Sequence, residues 1–278
     1  MNDTYEGKVC VVTGAGSGIG RALSLALAAR GAALAISDIK PDALAETQAL
    51  IDGKPSNRLR ADALDVSDAA AVERYAPLVR ESLGPADYVF NVAGLARIGA
   101  FKETPLSSIE KVMNVNYWGV VRMSKAFLPQ LIETKGGLIN ISSVFGLIAV
   151  PGQSHYCSSK FAVRGFSEAI AAELEEEGVR VTSVHPGGVA TNIARNAVVD
   201  ALPPGAGSAA DVAANFDKIA ITSAEAAAEV ILKGAAKGKR RIIVGPDARL
   251  ISFLQRLFPA SYPKLLKVLR KDSLNPTK

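Results

Sequence analysis

The segment that most constrains the fold reads TGAGSGIG and occupies residues 13–20. The apolar run Lys8–Thr13 leads into it and predicts a buried strand, whereas the Ala/Leu-rich stretch Arg21–Arg30 predicts a helix. Glycine lets the backbone turn tightly from one into the other, and the first N–H groups of a helix have no partner within the helix. Together with the helix dipole these groups favour negative charge, so the segment is a candidate phosphate-binding turn.

Short Val/Ile-rich runs alternate with longer Ala/Leu-rich segments along the rest of the chain, which is typical of a parallel sheet covered by helices on both faces. The further predicted strands are Ala33–Ser37, Asp87–Asn91, Leu138–Ser142, Arg180–Val184 and Arg241–Val244. The further predicted helices are Ala69–Leu83, Leu106–Thr134 and Ser158–Glu177. A glycine closely follows each of these helices and can supply its C-terminal cap.

No internal repeat or linker divides the 278 residues. The sequence therefore predicts one α/β domain over residues 1–247, a Rossmann-like doubly wound parallel sheet with helices on both faces. Residues 248–278 are predicted to form an amphipathic helical extension packed on that domain. Asn196–Asp217 contains two prolines, two glycines and little periodicity, and a long irregular segment of this kind is often a lid.

Composition and charge narrow the classes of function. Two cysteines and two histidines, without matching carboxylate spacing, argue against a disulfide framework and a metal site. The N-terminus is acidic and no apolar run reaches about 18 residues, so we expect a cytoplasmic protein. The net charge of +5 resides in the C-terminal part, and without a nucleic-acid-binding motif we expect no nucleic-acid partner.

Asp38 follows Gly20 by eighteen residues, at the end of the second predicted strand. This spacing suits a carboxylate that accepts hydrogen bonds from the ribose of a dinucleotide. A 2′-phosphate would be repelled there, and no basic residue in the glycine turn or at position 39 offsets the charge, so the pattern favours NAD over NADP. The alternative is an Asp that caps a helix beginning near Pro41, and Lys40 lies close by.

Residues 154–160 read SHYCSSK and place Tyr156 four residues before Lys160. On a helix the two side chains share one face. A tyrosine has a pKa of about 10 and needs a nearby positive charge to act as a base at neutral pH, so we expect Lys160 to stabilise its phenolate. Taken alone, the same spacing also suits an ordinary surface pair.

Taken together, these motifs resemble the short-chain dehydrogenase/reductase family, in its single-domain alcohol/ketone oxidoreductase branch, over about residues 8–244. The resemblance rests on TGAGSGIG, Asp65-Val66, Asn91-Val92-Ala93-Gly94, Asn116, Ser143, Tyr156 with Lys160, and Pro186-Gly187 followed by Thr191. The family most often has a second Asn where this chain has Val92, which is a departure from its pattern.

The resemblance implies a catalytic set of four residues. Tyr156 would move the substrate proton, Lys160 would supply charge and bind the nicotinamide ribose, Ser143 would hold the substrate oxygen, and Asn116 would anchor a water of the proton relay. The residues that the resemblance assigns to binding of the NAD cofactor are Gly14, Ser17, Gly18, Ile19, Gly20, Asp38, Asp65, Val66, Asn91, Ala93, Gly94, Tyr156, Lys160, Pro186, Gly187, Val189 and Thr191. It also implies a homodimer or homotetramer formed through the long helices.

The implied reaction is the interconversion of a secondary alcohol and a ketone by hydride transfer. The candidate substrate-contacting residues are Leu95, Ser143, Phe145, Val150, His155 and Ile193. Their mostly apolar character favours a hydrophobic substrate. Two alternatives stay open: a reductase of a small diketone or hydroxyketone of the acetoin type, and a non-catalytic dinucleotide-binding sensor.

Residues 249–271 combine scattered basic side chains with Leu, Ile, Val and Phe, and Pro259 interrupts the pattern. Such a basic amphipathic segment suits a peripheral position on a membrane surface or over the substrate entrance, although it cannot span a bilayer. It is at least as well suited to pack on the body of the protein or on a neighbouring subunit.

Overall fold

Seven parallel strands form the central sheet within the part of the chain that the structure describes. This computed structural model describes residues 4–53, 58–191, 193, 197–202, 208 and 220–266. The strands, numbered in chain order, are β1 (Val9–Thr13), β2 (Ala33–Asp38), β3 (Leu59–Ala63), β4 (Tyr88–Asn91), β5 (Gly137–Ile141), β6 (Arg180–Pro186) and β7 (Arg241–Val244). Their order in the sheet is β7-β6-β5-β4-β1-β2-β3.

The direction of winding reverses at β1 and β4, which are neighbours in the sheet although two strands separate them in the chain. In their parallel register Cys10 pairs with Tyr88 and Val12 with Phe90. A doubly wound sheet binds its ligands in the crevice at such a switch point, beyond the carboxyl ends of the strands. The topology therefore directs attention to the residues that follow these two strands.

Helices cover both faces of the sheet. Among the described residues they are α1 (Gly18–Ala29), α2 (Pro41–Ile51), α3 (Ala69–Leu83), α4 (Leu106–Met113), α5 (Gly119–Thr134), α6 (Ser154–Glu173), α7 (Ala224–Ala236) and α8 (Pro246–Leu257). Successive residues of a strand point to opposite faces, so Val12 packs with α1 and α7 while Val11 packs with α3 and α5. The predicted fold class, a Rossmann-like doubly wound α/β sheet, is confirmed.

Three element boundaries differ from the prediction in ways that affect the site. α1 begins three residues earlier than predicted, at Gly18, so the glycine turn itself supplies the first N–H groups of the helix. α6 begins four residues earlier than predicted, which places Tyr156 inside the helix. The predicted helix Leu106–Thr134 contains a π-helical turn over Asn114–Trp118 between α4 and α5.

Three further elements, β3, α2 and α7, have no counterpart among the predicted strands and helices. The sequence of β3 is LRADA, and its residues are only partly buried because it is the last strand of the sheet. α2 begins at Pro41, where the alternative reading of Asp38 placed a helix start. α7 packs on α1 and completes that face of the sheet.

The C-terminal extension packs on the body of the protein. Ala248 of α8 is fully buried, and Ile251 packs with Val144 and Ile148 in the segment after β5. Tyr262, in the helical residues 262–266, belongs to the same cluster. The rest of the predicted extension, residues 267–278, lies outside the described residues.

The predicted lid, Asn196–Asp217, lies mostly outside the described residues. Its described beginning is tied to the loop after β4, because Val198–Val199 pairs with Arg97–Ile98 and Arg97 forms an ion pair with Asp200. In the ranges that the structure describes, no helix has both the length and the apolar character needed to cross a bilayer.

Candidate active site

The glycine turn lies close against the loop that follows β4. Gly14 has a φ angle of +68°, and a Cβ atom there would stand 2.8 Å from the backbone of Ala93. A Cβ atom on Gly20 would overlap the carbonyl oxygen of Gly14. Because no side chain fits at either position, the turn brings the start of α1 directly to the switch point of the sheet.

Thr13 and Asn91, the last residues of β1 and β4, fix the two strand ends. Oγ1 of Thr13 accepts hydrogen bonds from the N–H groups of Val92 at 3.0 Å and Ala93 at 3.1 Å. Nδ2 of Asn91 donates to Oδ1 of Asn140 at 2.9 Å. The departure at Val92 leaves this arrangement intact, because the contact uses only its backbone N–H.

Asp38 stands beside the glycine turn at the end of β2. Its Oδ2 accepts from the N–H of Gly16 and its Oδ1 from the N–H of Lys40, both at 2.9 Å. A groove of about 200 Å³ opens there, lined by Gly16, Ser17, Arg21, Asp38, Lys40, Ala43 and Glu46. A Cβ atom on Gly16 would stand 2.9 Å from the Asp38 carboxyl group. A carboxylate with spare acceptor capacity beside a helix N-terminus fits the adenosine end of a dinucleotide.

Sequence reasoning missed Arg21, which lines the same groove. Its guanidinium donates to Glu46 Oε2 at 2.8 Å, to the carbonyl of Ala43 at 3.1 Å and to Thr47 Oγ1 at 2.9 Å. Nε and one terminal nitrogen of Arg21 are therefore engaged by these acceptors, and Glu46 offsets its charge. The position of Arg21 in the first turn of α1, next to the glycine turn, was the one sign in the sequence that it could line the groove. Nothing in the sequence indicates its contacts with α2.

Asp65 and Val66 form the turn after β3. Oδ1 of Asp65 accepts from the N–H and the hydroxyl of Ser67 at 2.8 and 2.7 Å. Val66 is buried against Gly119, where a Cβ atom would lie 2.7 Å from its Cγ2. These contacts place the pair at the carboxyl edge of the sheet, the edge that also carries the glycine turn and Asp38.

Ser143 follows β5, and Tyr156 lies in the first turn of α6. Oγ of Ser143 accepts from the N–H of Phe145 at 3.1 Å, and the Phe145 ring stands edge-on to Tyr156 with 6.2 Å between centroids. Burial raises the pKa of Tyr156 to about 12, and the hydrogen bond with Ser143 opposes that rise only in part. The phenol is therefore neutral at pH 7 in the protein chain alone.

Lys160 lies one turn after Tyr156, with its Nζ 5.7 Å from the centroid of the Tyr156 ring. Nζ donates to the carbonyl of Ile141 at 3.0 Å, and burial lowers the pKa of Lys160 to about 8. The stabilisation of the Tyr156 phenolate by Lys160 therefore stays a prediction, because the net shift of the Tyr156 pKa in the chain alone is upward. Burial dominates at both groups, and it disfavours the phenolate and the ammonium alike.

Asn116 lies fully buried in the π-helical turn. Its Oδ1 accepts from the N–H of Leu95 at 2.9 Å, while its Nδ2 donates to the carbonyl of Leu95 at 3.0 Å and to Oγ of Ser159 at 3.1 Å. Gly94 leaves space for this amide and for Lys160, since a Cβ atom there would lie 3.2 Å from Oδ1 and 3.6 Å from Nζ. Asn116 thus connects the loop after β4 to the helix that carries Tyr156. A π-turn at such a position is frequent at functional sites.

The turn after β6 is held by Asp247, a residue that sequence reasoning missed. Oδ2 of Asp247 accepts from the N–H of Gly188 at 2.7 Å. Pro186 ends β6, and Gly187 lies so close to this carboxylate that a Cβ atom would overlap it. The first turn of α8 therefore shapes the predicted cofactor-binding turn.

Val189 and Thr191 continue from that turn toward α1. Val189 is buried, and a Cβ atom on Gly18 would stand 3.0 Å from Cγ2 of Thr191. Ile19 packs on the core beside them. A cavity of about 210 Å³ lies here, lined by Gly18, Arg21, Ala22, Leu25, Ala190, Thr191, Ala224 and Glu225. The predicted cofactor-binding residues thus converge on the start of α1 from β1, β2, β4 and β6.

A comparison with known protein families matches residues 8–201 to the family described as short chain dehydrogenase. The chain belongs to the short-chain dehydrogenase family. A Mycobacterium tuberculosis protein named SadH and described as an oxidoreductase is 44% identical over 268 residues, which cover 95% of each chain. The meso-2,3-butanediol dehydrogenase of Serratia marcescens is 38% identical over 189 residues, or 68% of this chain and 74% of that one.

Solved structures of short-chain dehydrogenases share the fold. A short-chain dehydrogenase/reductase from Burkholderia phymatum, in complex with NAD, superposes with a TM-score of 0.82 at 26% identity. The match covers 92% of this chain and 95% of that one. The family membership predicted from the motifs is therefore confirmed, and the protein is an oxidoreductase of this family.

In this short-chain dehydrogenase, His185 makes a contact with Ser143 that the sequence did not reveal. It is fully buried in β6, and its Nδ1–H donates to the carbonyl of Ser143 at 3.0 Å while its Nε2 accepts from Oγ of Ser183 at 3.0 Å. Burial lowers the pKa of His185 to about 4, so the imidazole is neutral at pH 7. His185 therefore orients the backbone of Ser143. Within the described ranges, no cluster of three metal-ligating side chains occurs.

The candidate substrate-contacting residues of the dehydrogenase differ in their surroundings. Phe145 and Val150 pack with Tyr262, whose hydroxyl accepts from the N–H of Ala149 at 2.9 Å. His155 is buried with its Nε2 2.8 Å from the carbonyl of Arg97, which makes it part of the framework. The partly exposed Leu95 adjoins the Asn116 amide, and Ile193 is also partly exposed. Sequence reasoning missed Tyr262 because it lies more than a hundred residues from the loop that it contacts.

Proposed function

We propose that this protein interconverts a hydrophobic secondary alcohol and its ketone with NAD as hydride acceptor or donor. The observation that carries the proposal is the placement of Ser143, Tyr156 and Lys160 beside the glycine turn and Asn116. With Asn116 they come from three parts of the fold, the segment after β5, α6 and the π-helical turn, and their contacts support a role in proton transfer at the carboxyl edge of the sheet. A protein that only binds a dinucleotide has no need of such groups.

Tyr156 would exchange the proton of the substrate oxygen. A bound nicotinamide would supply the hydride acceptor for alcohol oxidation or the hydride donor for ketone reduction. In reduction, the neutral phenol of Tyr156 would donate its proton to the substrate oxygen as that oxygen gains negative charge, and its raised pKa of about 12 keeps the phenol protonated at pH 7. In oxidation, the phenol must first lose its proton, and the ammonium of Lys160 would stabilise the phenolate while it stays protonated below about pH 8. Ser143 would hold the substrate oxygen near the phenol.

Asn116 would position the proton path. Both N–H groups of its amide are already used, by Leu95 and Ser159, so its side chain has only the remaining acceptor position of Oδ1 for a water. The hydroxyl of Ser159 donates to the carbonyl of Tyr156 at 2.7 Å. Asn116 would therefore fix the start of α6 as well as anchor a relay water.

The preference for NAD over NADP is part of the proposal. Asp38 would repel a 2′-phosphate, and Arg21, the nearest guanidinium in the groove, is neutralised by Glu46. We expect Asp38→Ser to raise the ratio of kcat/KM for NADP to that for NAD by at least about tenfold, since it removes one full charge from the groove. An unchanged ratio would contradict the role of Asp38.

The size of the substrate separates two candidates. Phe145, Val150 and Tyr262 pack against the apolar cluster of the segment that follows Ser143, which supports a hydrophobic alcohol. The similarity to a meso-2,3-butanediol dehydrogenase favours a small diol or hydroxyketone instead. That match covers 68% of this chain and 74% of the other enzyme, and a comparison of substrates decides between the two candidates.

The decisive experiment is initial-rate nicotinamide reduction with NAD across secondary alcohols graded from butanediol to bulky polycyclic compounds. We expect the bulky compounds to give the higher kcat/KM. Tyr156→Phe should lower kcat by about 10²–10⁴-fold with NAD affinity retained, because it removes only the transferable proton. Tyr75→Phe, in α3 on the far side of the core, is the matched control and should leave the rate unchanged.

A failure to turn over any compound, together with tight NAD binding, would favour the sensor. A preference for butanediol would favour the small-substrate reading.

We further propose a cytoplasmic homodimer or homotetramer. Trp118 in the π-helical turn that carries Asn116 and Phe161 on the helix that carries Tyr156 are exposed, which supports self-association. The two buried free cysteines support a reducing compartment.

A further inference from the structure

α8 has two unlike faces. Its inner face carries Ala248 and Ile251, which pack toward Val144 and Ile148. Its outer face carries Leu250, Phe253 and Leu257, which are 53%, 58% and 54% exposed. Their spacing of three and four residues places these three side chains in one stripe along the helix. Outside the catalytic site, this stripe is a continuous apolar surface that the described part of the chain leaves exposed.

Basic residues flank the stripe on one side. Arg249 and Arg256 are seven residues apart, so they lie above one another on the helix, next to Phe253. Both are exposed, as is Lys264 beyond the end of α8. Residues 248–266 contain no Asp or Glu. An apolar stripe bordered by arginines is the pattern of a helix that lies in the plane of a membrane interface.

The distribution of charge along the chain also favours a membrane surface as the partner of α8. Residues 248–278 contain seven basic and one acidic side chain, whereas the preceding 247 residues have a net charge of −1. A second copy of the chain is a less suitable occupant of this face, because an antiparallel two-fold pairing of α8 would bring Arg249 of one protomer near Arg256 of the other. An anionic lipid surface complements both the charge and the apolar stripe.

We propose that α8 docks the protein on the surface of an anionic membrane. Leu250, Phe253 and Leu257 enter the boundary between headgroups and acyl chains, and the two arginines contact lipid phosphates. The inner face of the same helix packs on the loop that follows Ser143, so docking places the proposed substrate entrance at the lipid surface. The inference concerns an interaction surface and holds whether or not the proposed substrate class is correct.

Co-sedimentation with lipid vesicles tests the proposal on the full chain. We expect binding to phosphatidylcholine vesicles that contain 30% phosphatidylglycerol, little binding to phosphatidylcholine alone, and a loss of binding as salt is raised. Arg249→Gln and Arg256→Gln should each weaken binding about fivefold, which corresponds to about 1 kcal/mol for each basic residue near an anionic surface. Phe253→Ser with Leu257→Ser should weaken it by at least about tenfold.

Phe101→Ser is the matched control, because Phe101 is 72% exposed but lies far from α8 in the chain, in the loop after β4. It should bind vesicles as the unchanged protein does. Circular dichroism and size-exclusion chromatography of each variant separate loss of docking from misfolding or loss of subunits. Absence of binding to anionic vesicles, or equal effects of the Phe101 and stripe variants, would overturn the proposal. Dissociation of an oligomer by the stripe variants would assign the face to a second copy of the chain and overturn it as well.

Discussion

Replacing Lys160 with methionine should stabilise the chain in the absence of cofactor while it abolishes activity. Lys160 is 4% exposed, and burial lowers its pKa from 10.5 to about 8. Each pKa unit corresponds to 1.36 kcal/mol, so the buried ammonium costs about 3 kcal/mol at pH 7. Methionine removes that cost but leaves the carbonyl of Ile141 without its donor, a loss of about 1 kcal/mol. We expect a net gain of about 2 kcal/mol in the free energy of unfolding.

The dependence on pH distinguishes this cause from a general packing effect. A lysine whose pKa is lowered by folding destabilises the protein fully below the folded pKa, and the cost disappears as pH rises toward the unfolded pKa. The advantage of the methionine variant should therefore be constant below about pH 8 and shrink between pH 8 and 10.5. Urea unfolding of both proteins, followed by circular dichroism from pH 6 to 10 without cofactor, measures it.

Lys125→Met provides the matched control, because Lys125 is an exposed lysine of α5. Its effect on unfolding should stay within about 0.5 kcal/mol at every pH. A Lys160→Met variant that is less stable than the unchanged protein at pH 7 would refute the reasoning. So would a stability difference that does not vary with pH, since titration of the buried amine would then not be its source.

Three further substitutions test contacts around the site. Gly20→Ala forces a methyl group onto the Gly14 carbonyl, so NAD affinity measured by calorimetry should fall at least about tenfold; unchanged affinity would show that the turn is not the binding loop. Tyr262→Phe removes the hydroxyl that accepts from the N–H of Ala149, so the free energy of unfolding should fall by about 1 kcal/mol. Among the substrates, only the bulky alcohols should show a changed KM. His185→Ala releases the carbonyl of Ser143 and should lower kcat while the dissociation constant of NAD stays constant; an equal loss of both would indicate general unfolding.

The sequence predicted the sheet well because each buried strand is a short apolar run bounded by glycine or polar residues. β3 was not predicted, for the opposite reason. It pairs only with β2, and its LRADA sequence has the partly polar character of a strand with a single neighbour. Boundaries were less certain, because the first helical turn of α6 contains Ser154 and His155, neither of which marks a helix interior.

The residues of the candidate site that belong to local motifs could be predicted from the sequence. Those that come together only when the chain folds could not. Tyr156 and Lys160 share a helix, so their spacing is visible in the sequence. Arg21 meets Glu46 because α1 and α2 pack side by side, and His185 meets the Ser143 carbonyl because β5 and β6 are neighbours in the sheet. The rise in the pKa of Tyr156 was also not visible in the sequence, because burial acts through the whole surrounding core and cannot be inferred from one neighbouring charge.

The contact between Asp247 and Gly188 also has a consequence for biosynthesis. A ribosome makes the glycine turn first, and the chain can form β1, β2 and β4 long before α8 exists. The turn after β6 reaches its final geometry only when Asp247 has emerged and can accept the Gly188 N–H. A nascent chain that ends before this residue would hold one half of the dinucleotide groove without the other. The final shaping of this turn therefore waits until all seven strands of the sheet have been synthesised.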